Sequence, residues 1–313
     1  SAVIARLFNE NFPAEYLRVI EGEGSVVVPA MMQAQKFDHI FYTGSGKVGR
    51  EIYQNAAADL IPVTLELGGK SPAIVEKNAD IRIAAKRIAI GKFLNAGQTC
   101  VAPDYVLVHR DNESEFLTEL KKAITTFFGS DVASNPDYGR IINTRRFENL
   151  VSSLPGPEKI FWGGTHHREG LFFSPTIITG ISMDDAVMQE EIFGPLLPVI
   201  AFTQKEEALQ VIRKFEKSLS FYLFTNNKRD EQWWMERVSF GGGCINNTLW
   251  QLSNPNLPFG GVGGSGIGAY HGKYSFETFT HAKAVMSSPT WFDPGIKYPP
   301  LTGKLKTFKR FIK

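Results

Sequence analysis

Two short segments of the chain set a carboxylate and a thiol in surroundings suited to covalent chemistry: Glu66-Leu67-Gly68-Gly69-Lys70 and Asn95-Ala96-Gly97-Gln98-Thr99-Cys100. A cysteine among Gly, Thr and Gln is a poor core filler. Glycine lets a substrate approach the sulfur, and backbone N–H groups beside it can hold an oxyanion. A carboxylate elsewhere can then activate water to attack the resulting thioester. The pair points to acyl chemistry through a cysteine intermediate. On residue type alone two blander readings stay open: Cys100 as a small buried hydrophobe, and Glu66 as a surface carboxylate at a strand end. Cys244, between Gly243 and Ile245 in an apolar run, has no base near it in sequence and reads as structural.

A third segment, Gly44-Ser45-Gly46-Lys47-Val48-Gly49, matches G-x-G-x-x-G between a strand and a helix. Helix N-terminal amides and glycine there suit a dinucleotide pyrophosphate. The ordinary reading of that motif would place Glu66, about twenty positions on, against a ribose. A P-loop is excluded, because Val48 stands where Ser or Thr is needed for magnesium. The glycine-dense stretch 258–268 gives no support to a helix or strand; it reads as backbone that wraps close to a ligand or to Cys100, with a flexible loop as the alternative. No carboxylate–histidine cluster has metal-ligand spacing, so no catalytic metal is expected.

The two opening segments, together with Met188-Gln189-Glu190-Glu191-Ile192-Phe193-Gly194-Pro195 and Leu257-Pro258-Phe259-Gly260-Gly261-Val262-Gly263-Gly264-Ser265-Gly266, resemble the aldehyde dehydrogenase superfamily, in the family's order. Cys100-Val101-Ala102-Pro103-Asp104-Tyr105 and Gly268-Ala269-Tyr270-His271-Gly272 resemble its class 3 and fatty aldehyde dehydrogenase branch. The resemblance implies oxidation of an aldehyde to a carboxylic acid with NAD or NADP, through a thiohemiacetal and a thioester on Cys100. It implies Glu66 as the general base for thioester hydrolysis rather than a ribose ligand. Gly44, Ser45, Gly49 and Leu67 would form a variant cofactor turn, Glu191 would hold the nicotinamide ribose, and Phe193 would pack beside the nicotinamide ring. Phe259 is a candidate wall of the aldehyde tunnel, against an equal reading as a core aromatic. Tyr270 and His271 fall near the substrate region of class 3 relatives, against a plainer reading of His271 as the cap of a glycine-bounded turn. A homodimer and an apolar aliphatic or aromatic aldehyde are implied as partners. The family also carries a stretch before the position of Ser1, with the first half of the cofactor domain and an asparagine oxyanion donor. The chain is therefore expected to be an N-terminally truncated portion with little activity alone. Two competing readings are an acyl-phosphate or acyl-CoA reductase relative, which needs no hydrolytic base, and a non-catalytic structural or interaction protein on a dehydrogenase scaffold.

Positioning these groups requires strands alternating with helices, the pattern of a parallel sheet with crossover helices. Helices are expected over 1–11, 27–35, 46–60, 80–94, 113–127, 205–217 and 228–238, and strands over 16–21, 38–42, 62–67, 105–109, 172–178, 197–202, 221–225 and 243–246. Val48, Ile52, Ala56 and Leu60 mark one apolar helical face, and Phe116, Leu120, Ile124 and Phe127 another, with Asp111 or Asn112 as its N-cap. Segments 130–139 and 163–170 read as surface loops, with His166 and His167 solvated. The fold class is α/β: the later part of a Rossmann-like cofactor domain (1–65), an α/β catalytic domain (66–252), and a bridging or oligomerisation segment with a C-terminal tail (253–313).

A chain of 313 residues is long enough for two cores. Lys and Arg exceed Asp and Glu by 34 − 32 = 2, so no global field points to nucleic acid. No apolar run approaches membrane-spanning length, no signal-peptide pattern opens the chain, and two distant cysteines make no disulfide framework; a reducing, cytoplasmic setting is expected. Segment 304–313 carries five basic residues and no acidic one, interleaved with Leu305, Phe308, Phe311 and Ile312. It reads either as a peripheral contact with an anionic membrane surface or as a frayed, solvated terminus.

Overall fold

A computed structural model of the chain describes residues 1–311. Residues Ser1–Phe279 form one compact unit and Thr280–Lys313 a second. The first unit begins with α1 (Ala2–Asn11), α2 (Gly24–Ala34), β1 (Ile40–Thr43), α3 (Gly46–Ala58) and β2 (Val63–Glu66). It continues with β3 (Pro72–Val75), α4 (Ile81–Phe93), β4 (Tyr105–His109), α5 (Glu113–Phe128), α6 (Thr144–Ser153), β5 (Ile160–Trp162), β6 (His166–His167), β7 (Phe172–Phe173) and β8 (Thr176–Ile178). Then come α7 (Ala186–Gln189), β9 (Leu196–Phe202), α8 (Lys205–Arg213), β10 (Ser220–Phe224), α9 (Lys228–Arg237), β11 (Gly242–Ile245), β12 (Gly266–Ile267) and α10 (Lys273–Phe279). The second unit holds α11 (Leu305–Phe311).

The larger sheet has the order β11-β10-β3-β4-β9-β8-β5 and is parallel except for the antiparallel edge strand β5. Strands β3 and β10 are buried along their whole length, as strands covered on both faces must be. Asp80 caps α4 by accepting the Ile83 N–H at 2.9 Å, and Ala84, Ala85, Ile88, Ala89 and Phe93 bury that helix on more than one side. α5 turns Phe116, Leu120, Ile124 and Phe128 inward at helical spacing. A smaller sheet of order β1-β2-β12 pairs β1 and β2 in parallel and adds β12 antiparallel beside Glu66.

Several expectations need correction. Residues 16–21 are not a strand: the N–H and C=O of Val19 are both taken by the side-chain amide of Asn9, at 2.9 Å each, so no neighbouring strand is recruited. The expected strand 172–178 is two strands, broken at Ser174-Pro175, and its halves pair with different partners. The helix expected to reach 217 ends at Arg213. The segment expected as a loop at 163–170 contains β6, where His166 is half-buried and stacks on Phe173 at 5.1 Å; His167 alone is exposed. Asn112 occupies the N-cap of α5 but its side chain donates to the Glu76 and Lys77 carbonyls instead. The glycines of 258–268 serve close backbone approach: a Cβ at Gly266 would stand 2.2 Å from the Leu65 carbonyl oxygen. α11 lies within the basic segment 304–313, of which Ile312 and Lys313 lie outside the described residues.

Burial predicts where stability sits. Phe116→Ala should destabilise the protein by about 3–5 kcal/mol, whereas Ile142→Ala, at a side chain 74% exposed, should stay within about 0.5 kcal/mol of the parent. Urea denaturation measures both, and equal effects would contradict the assigned core.

Candidate active site

Strands β3, β4 and β9 are adjacent and parallel, so the segments entering their amino ends converge at one edge of the sheet. Those segments carry Glu66 to Lys70, Asn95 to Asp104, and Val187 to Gly194. The topology thus collects three stretches far apart in sequence. A larger cavity, about 700 Å³, lies at the opposite, carboxyl ends and is lined by Glu76, His109, Phe202 and Lys205; it holds none of the candidate residues.

The turn before Cys100 is unusual. Asn95 and Ala96 have φ of 53° and 52°, and Gly97 follows at 73°. Only glycine fits at 97, because a Cβ would stand 2.3 Å from the Gly194 carbonyl oxygen. Gln98 ties the turn to the neighbouring loop: its Nε2 donates to the Arg140 carbonyl at 2.9 Å and its Oε1 accepts the Ile142 N–H at 2.9 Å. Beyond the thiol, the Tyr222 hydroxyl donates to the Val101 carbonyl at 2.5 Å and itself accepts from Gln251 at 3.1 Å. Cys100 is half-buried. Burial pushes its thiol up to about 11, the carboxylates of Glu191 and Glu66 add to this, and the N–H groups of Cys100 and Val101 oppose it.

Glu66 ends β2 with a side chain 3% exposed. Neither carboxylate oxygen has a hydrogen-bond partner among the described residues. Burial therefore raises its pKa to about 8. Tyr270 lies within electrostatic reach of both Glu66 and Cys100, which together with burial raises its hydroxyl pKa. Its ring packs edge-on against Phe41, Phe259 and His271 at 4.8, 5.6 and 4.5 Å, and His271 stacks on Phe259 at 5.1 Å. The backbones of Phe259 and Tyr270 pair reciprocally, at 2.9 and 2.8 Å.

Glu191 rests on the turn after Glu66. A Cβ at Gly68 would stand 1.7 Å from its Oε2, and the Gly69 N–H donates to its carboxylate. Burial, reinforced by Asp104, raises its pKa to about 7. Phe193 holds a positive φ of 41°, a conformation bulky residues adopt only when held. Arg146 holds it, donating to the Phe193 carbonyl at 3.2 Å and to the carbonyls of Glu191 and Ile192, with its guanidinium 5.5 Å above the Phe193 ring.

Gly44 and Ser45 turn the chain from β1 into α3, where Ser45 Oγ accepts the Val48 N–H at 3.4 Å. The Gly44 N–H donates to the Glu66 carbonyl at 3.0 Å, and a Cβ at Gly49 would strike Leu67, 2.5 Å from a methyl. Gly44, Ser45, Gly49 and Leu67 therefore share one corner next to Glu66. Cys244 is apart from this group, its thiol donating to Gln251 Oε1 at 2.9 Å. Among the described residues no group of three or more His, Cys, Asp or Glu is arranged to hold a metal ion.

The sequence reading passed over Lys70, Asp104, Arg146 and Lys92. Lys70 and Asp104 stood inside the quoted motifs, and their pairing across 34 positions had no local signal. Lys92, in the last turn of α4, is only 1% exposed, and burial lowers its pKa to about 8.

The Glu66 environment predicts a pH-dependent stability. Its folded-state pKa of about 8 lies above the roughly 4.3 of an unfolded glutamate. Between those values the unfolded chain sheds the proton first, so stability falls as pH rises through that window and levels off above it. Glu66→Gln, neutral throughout, should show a Tm advantage that is small near about pH 4 and grows toward about pH 9. A difference constant with pH would contradict the assignment.

Comparison with known proteins places the chain. The model of the aldehyde dehydrogenase family matches residues 1–285. A 4,4'-diaponeurosporen-aldehyde dehydrogenase of Staphylococcus aureus is 46% identical over 312 residues, covering 99% of this chain and 68% of the relative. A canine aldehyde dehydrogenase named as dimeric and NADP-preferring is 43% identical over 284 residues, covering 90% of this chain and 62% of its own length. The solved substrate-bound state of a Staphylococcus aureus AldH superposes with a TM-score of 0.95 at 45% identity, over 100% of this chain and 68% of that one. With its convergent cysteine and glutamate segments and its matched α/β architecture, the chain belongs to the aldehyde dehydrogenase family.

Proposed function

We propose that this chain carries the acyl-transfer centre of an aldehyde dehydrogenase that oxidises an aldehyde to a carboxylic acid with NAD or NADP. The observation that carries this reading is the buried, unpartnered Glu66 carboxylate within electrostatic reach of Cys100. Cys100 is the nucleophile. The thiol passes its proton to water as the sulfur adds to the aldehyde carbonyl, giving the thiohemiacetal as an oxyanion that the N–H groups facing that sulfur hold. Collapse of the thiohemiacetal expels hydride and leaves a thioester on Cys100. A bound nicotinamide dinucleotide supplies the hydride acceptor. Glu66 then takes a proton from water as it attacks the thioester, releasing the acid and restoring the thiol. A carboxylate titrating near about 8 is well matched to that task at neutral pH.

The residues present suit a dinucleotide. The first turn of α3, entered through Gly44 and Ser45, offers backbone N–H groups for a pyrophosphate, with Gly49 packed on Leu67 behind it. Glu191 would accept from ribose hydroxyls, and Phe193 would lie against the nicotinamide ring. This reading divides the chain into cofactor-domain residues 1–65, catalytic residues 66–252 and a bridging segment 253–313. The aromatic group of Phe41, Phe259, Tyr270 and His271 supports an apolar aldehyde. A homodimer follows the canine relative's name, and basic α11 suits peripheral contact with an anionic membrane from the cytoplasmic side. Among the described residues no helix is long and apolar enough to cross a membrane. An acyl-transferring reductase has no use for a buried base beside the thioester, so Glu66 favours the acid-forming reaction.

The test is pre-steady-state kinetics. In the full-length protein, Cys100→Ser should abolish aldehyde oxidation, while Cys244→Ser keeps most of it. Glu66→Gln should retain a burst of reduced dinucleotide with a steady state slowed by about 10²-fold or more. In the parent, a deacylation-limited kcat should rise with pH and level off above about 8, as Glu66 loses its proton. Full activity in Cys100→Ser, or unslowed turnover in Glu66→Gln, would overturn the assignment.

A further inference from the structure

The segment carrying Glu191 is held on both sides by one buried ion pair that touches no reacting atom. Lys70 lies four residues after Glu66, and Asp104 four residues after Cys100. Their side chains, each 4% exposed, meet with Nζ 2.5 Å from Oδ2. The ammonium also donates to the Val187 carbonyl at 3.1 Å and the Glu190 carbonyl at 2.9 Å, so its three donors each have an acceptor. The other carboxylate oxygen, Oδ1, accepts the Ile192 N–H at 2.9 Å. Glu190 and Ile192 flank Glu191 in the chain. The rings of Phe215 and Tyr105, 5.6 and 5.9 Å from Nζ, wall the ammonium in.

We propose that the Lys70–Asp104 pair is a positioning device that locks the Glu191 segment to the Glu66 and Cys100 segments, and that it thereby sets dinucleotide affinity. This rests on the functional reading of Glu191 given above. The pair is the point at which all three segments share hydrogen bonds. Arg146 grips the carbonyls of Glu191, Ile192 and Phe193 as well, but it leaves the Glu190 carbonyl and the Ile192 N–H to the pair. Without the pair, the Glu190 carbonyl and the Ile192 N–H on either side of Glu191 lose their partners while the Cys100 turn keeps its own, through Gln98 and Tyr222. The consequence is selective: dinucleotide binding weakens, and aldehyde capture by Cys100 does not.

A purely structural pair and a positioning pair are separated by removing one partner and then both. Lys70→Met leaves Asp104 buried and unpaired, so it should lower Tm sharply; Lys70→Met with Asp104→Asn removes the buried charge and should recover most of the Tm. In that double variant of the full-length protein, the dissociation constant for NAD or NADP by calorimetry and its KM should remain raised about tenfold or more, with the aldehyde KM within about twofold of the parent. Asp104→Asn alone, isosteric and uncharged, must give up either the ammonium or the Ile192 N–H, so its dinucleotide affinity should fall in the same direction even if the double variant does not fold. A folded double variant with parental dinucleotide affinity, or a folded Asp104→Asn with parental affinity, would overturn the proposal while leaving the functional reading intact. A parent that binds no dinucleotide would overturn both.

Discussion

Close backbone approach at the amino ends of three neighbouring parallel strands is the constraint on which the site depends. Gly97 lets the Cys100 turn reach the Gly194 carbonyl, and Gly68 leaves room for the Glu191 carboxylate on the turn after Glu66. A side chain at either position would push apart segments that must share one small volume. The parallel register of β3, β4 and β9 brings the three entries side by side, and the glycines let them touch. Ion-pair, hydrogen-bond and aromatic contacts then hold what the glycines permit.

That closeness has an electrostatic result. Glu66, Cys100 and Glu191 all sit where burial disfavours charge, and their pKa values rise to about 8, 11 and 7. Lys92, in the same interior, falls to about 8. Desolvation is the largest cause in each; neighbouring carboxylates add to it at Cys100 and Glu191, while at Lys92 the Asp104 carboxylate opposes it. Perturbed groups gathered in one place are what the proposed acyl-transfer site requires. Lys70 and Asp104, equally buried, have one another and a full set of hydrogen bonds.

Much of this was legible in the sequence where the signal is local. Apolar positions at helical spacing located α3 and α5 to within about two residues at each end, although Leu60 lies beyond α3 and is exposed, and Phe128 rather than Phe127 is buried in α5. The apolar run at β4 coincided with the strand in the structure. Reading failed where long-range contacts decide. The apolar 16–21 segment had no strand to pair with, and an Asn9 amide took both backbone groups of Val19 instead. β3, only four residues long and entered through Ser71-Pro72, escaped notice although it lies in the middle of the sheet. Cys100 and Glu66 were visible because their glycine-rich neighbours are uncommon. Lys70, Asp104 and Arg146 were not, because an ion pair across 34 positions and a guanidinium 47 positions from Phe193 leave no periodic trace.

The central claim is that an acyl group passes through Cys100 and leaves by attack of water that Glu66 deprotonates. Mass spectrometry of acid-quenched Glu66→Gln protein, mixed with an apolar aldehyde and NAD or NADP, tests it most directly. The account predicts that the peptide bearing Cys100 gains the mass of the acyl group during turnover, while the peptide bearing Cys244 does not. Acid formed at the parental rate with Cys100 unmodified would contradict it.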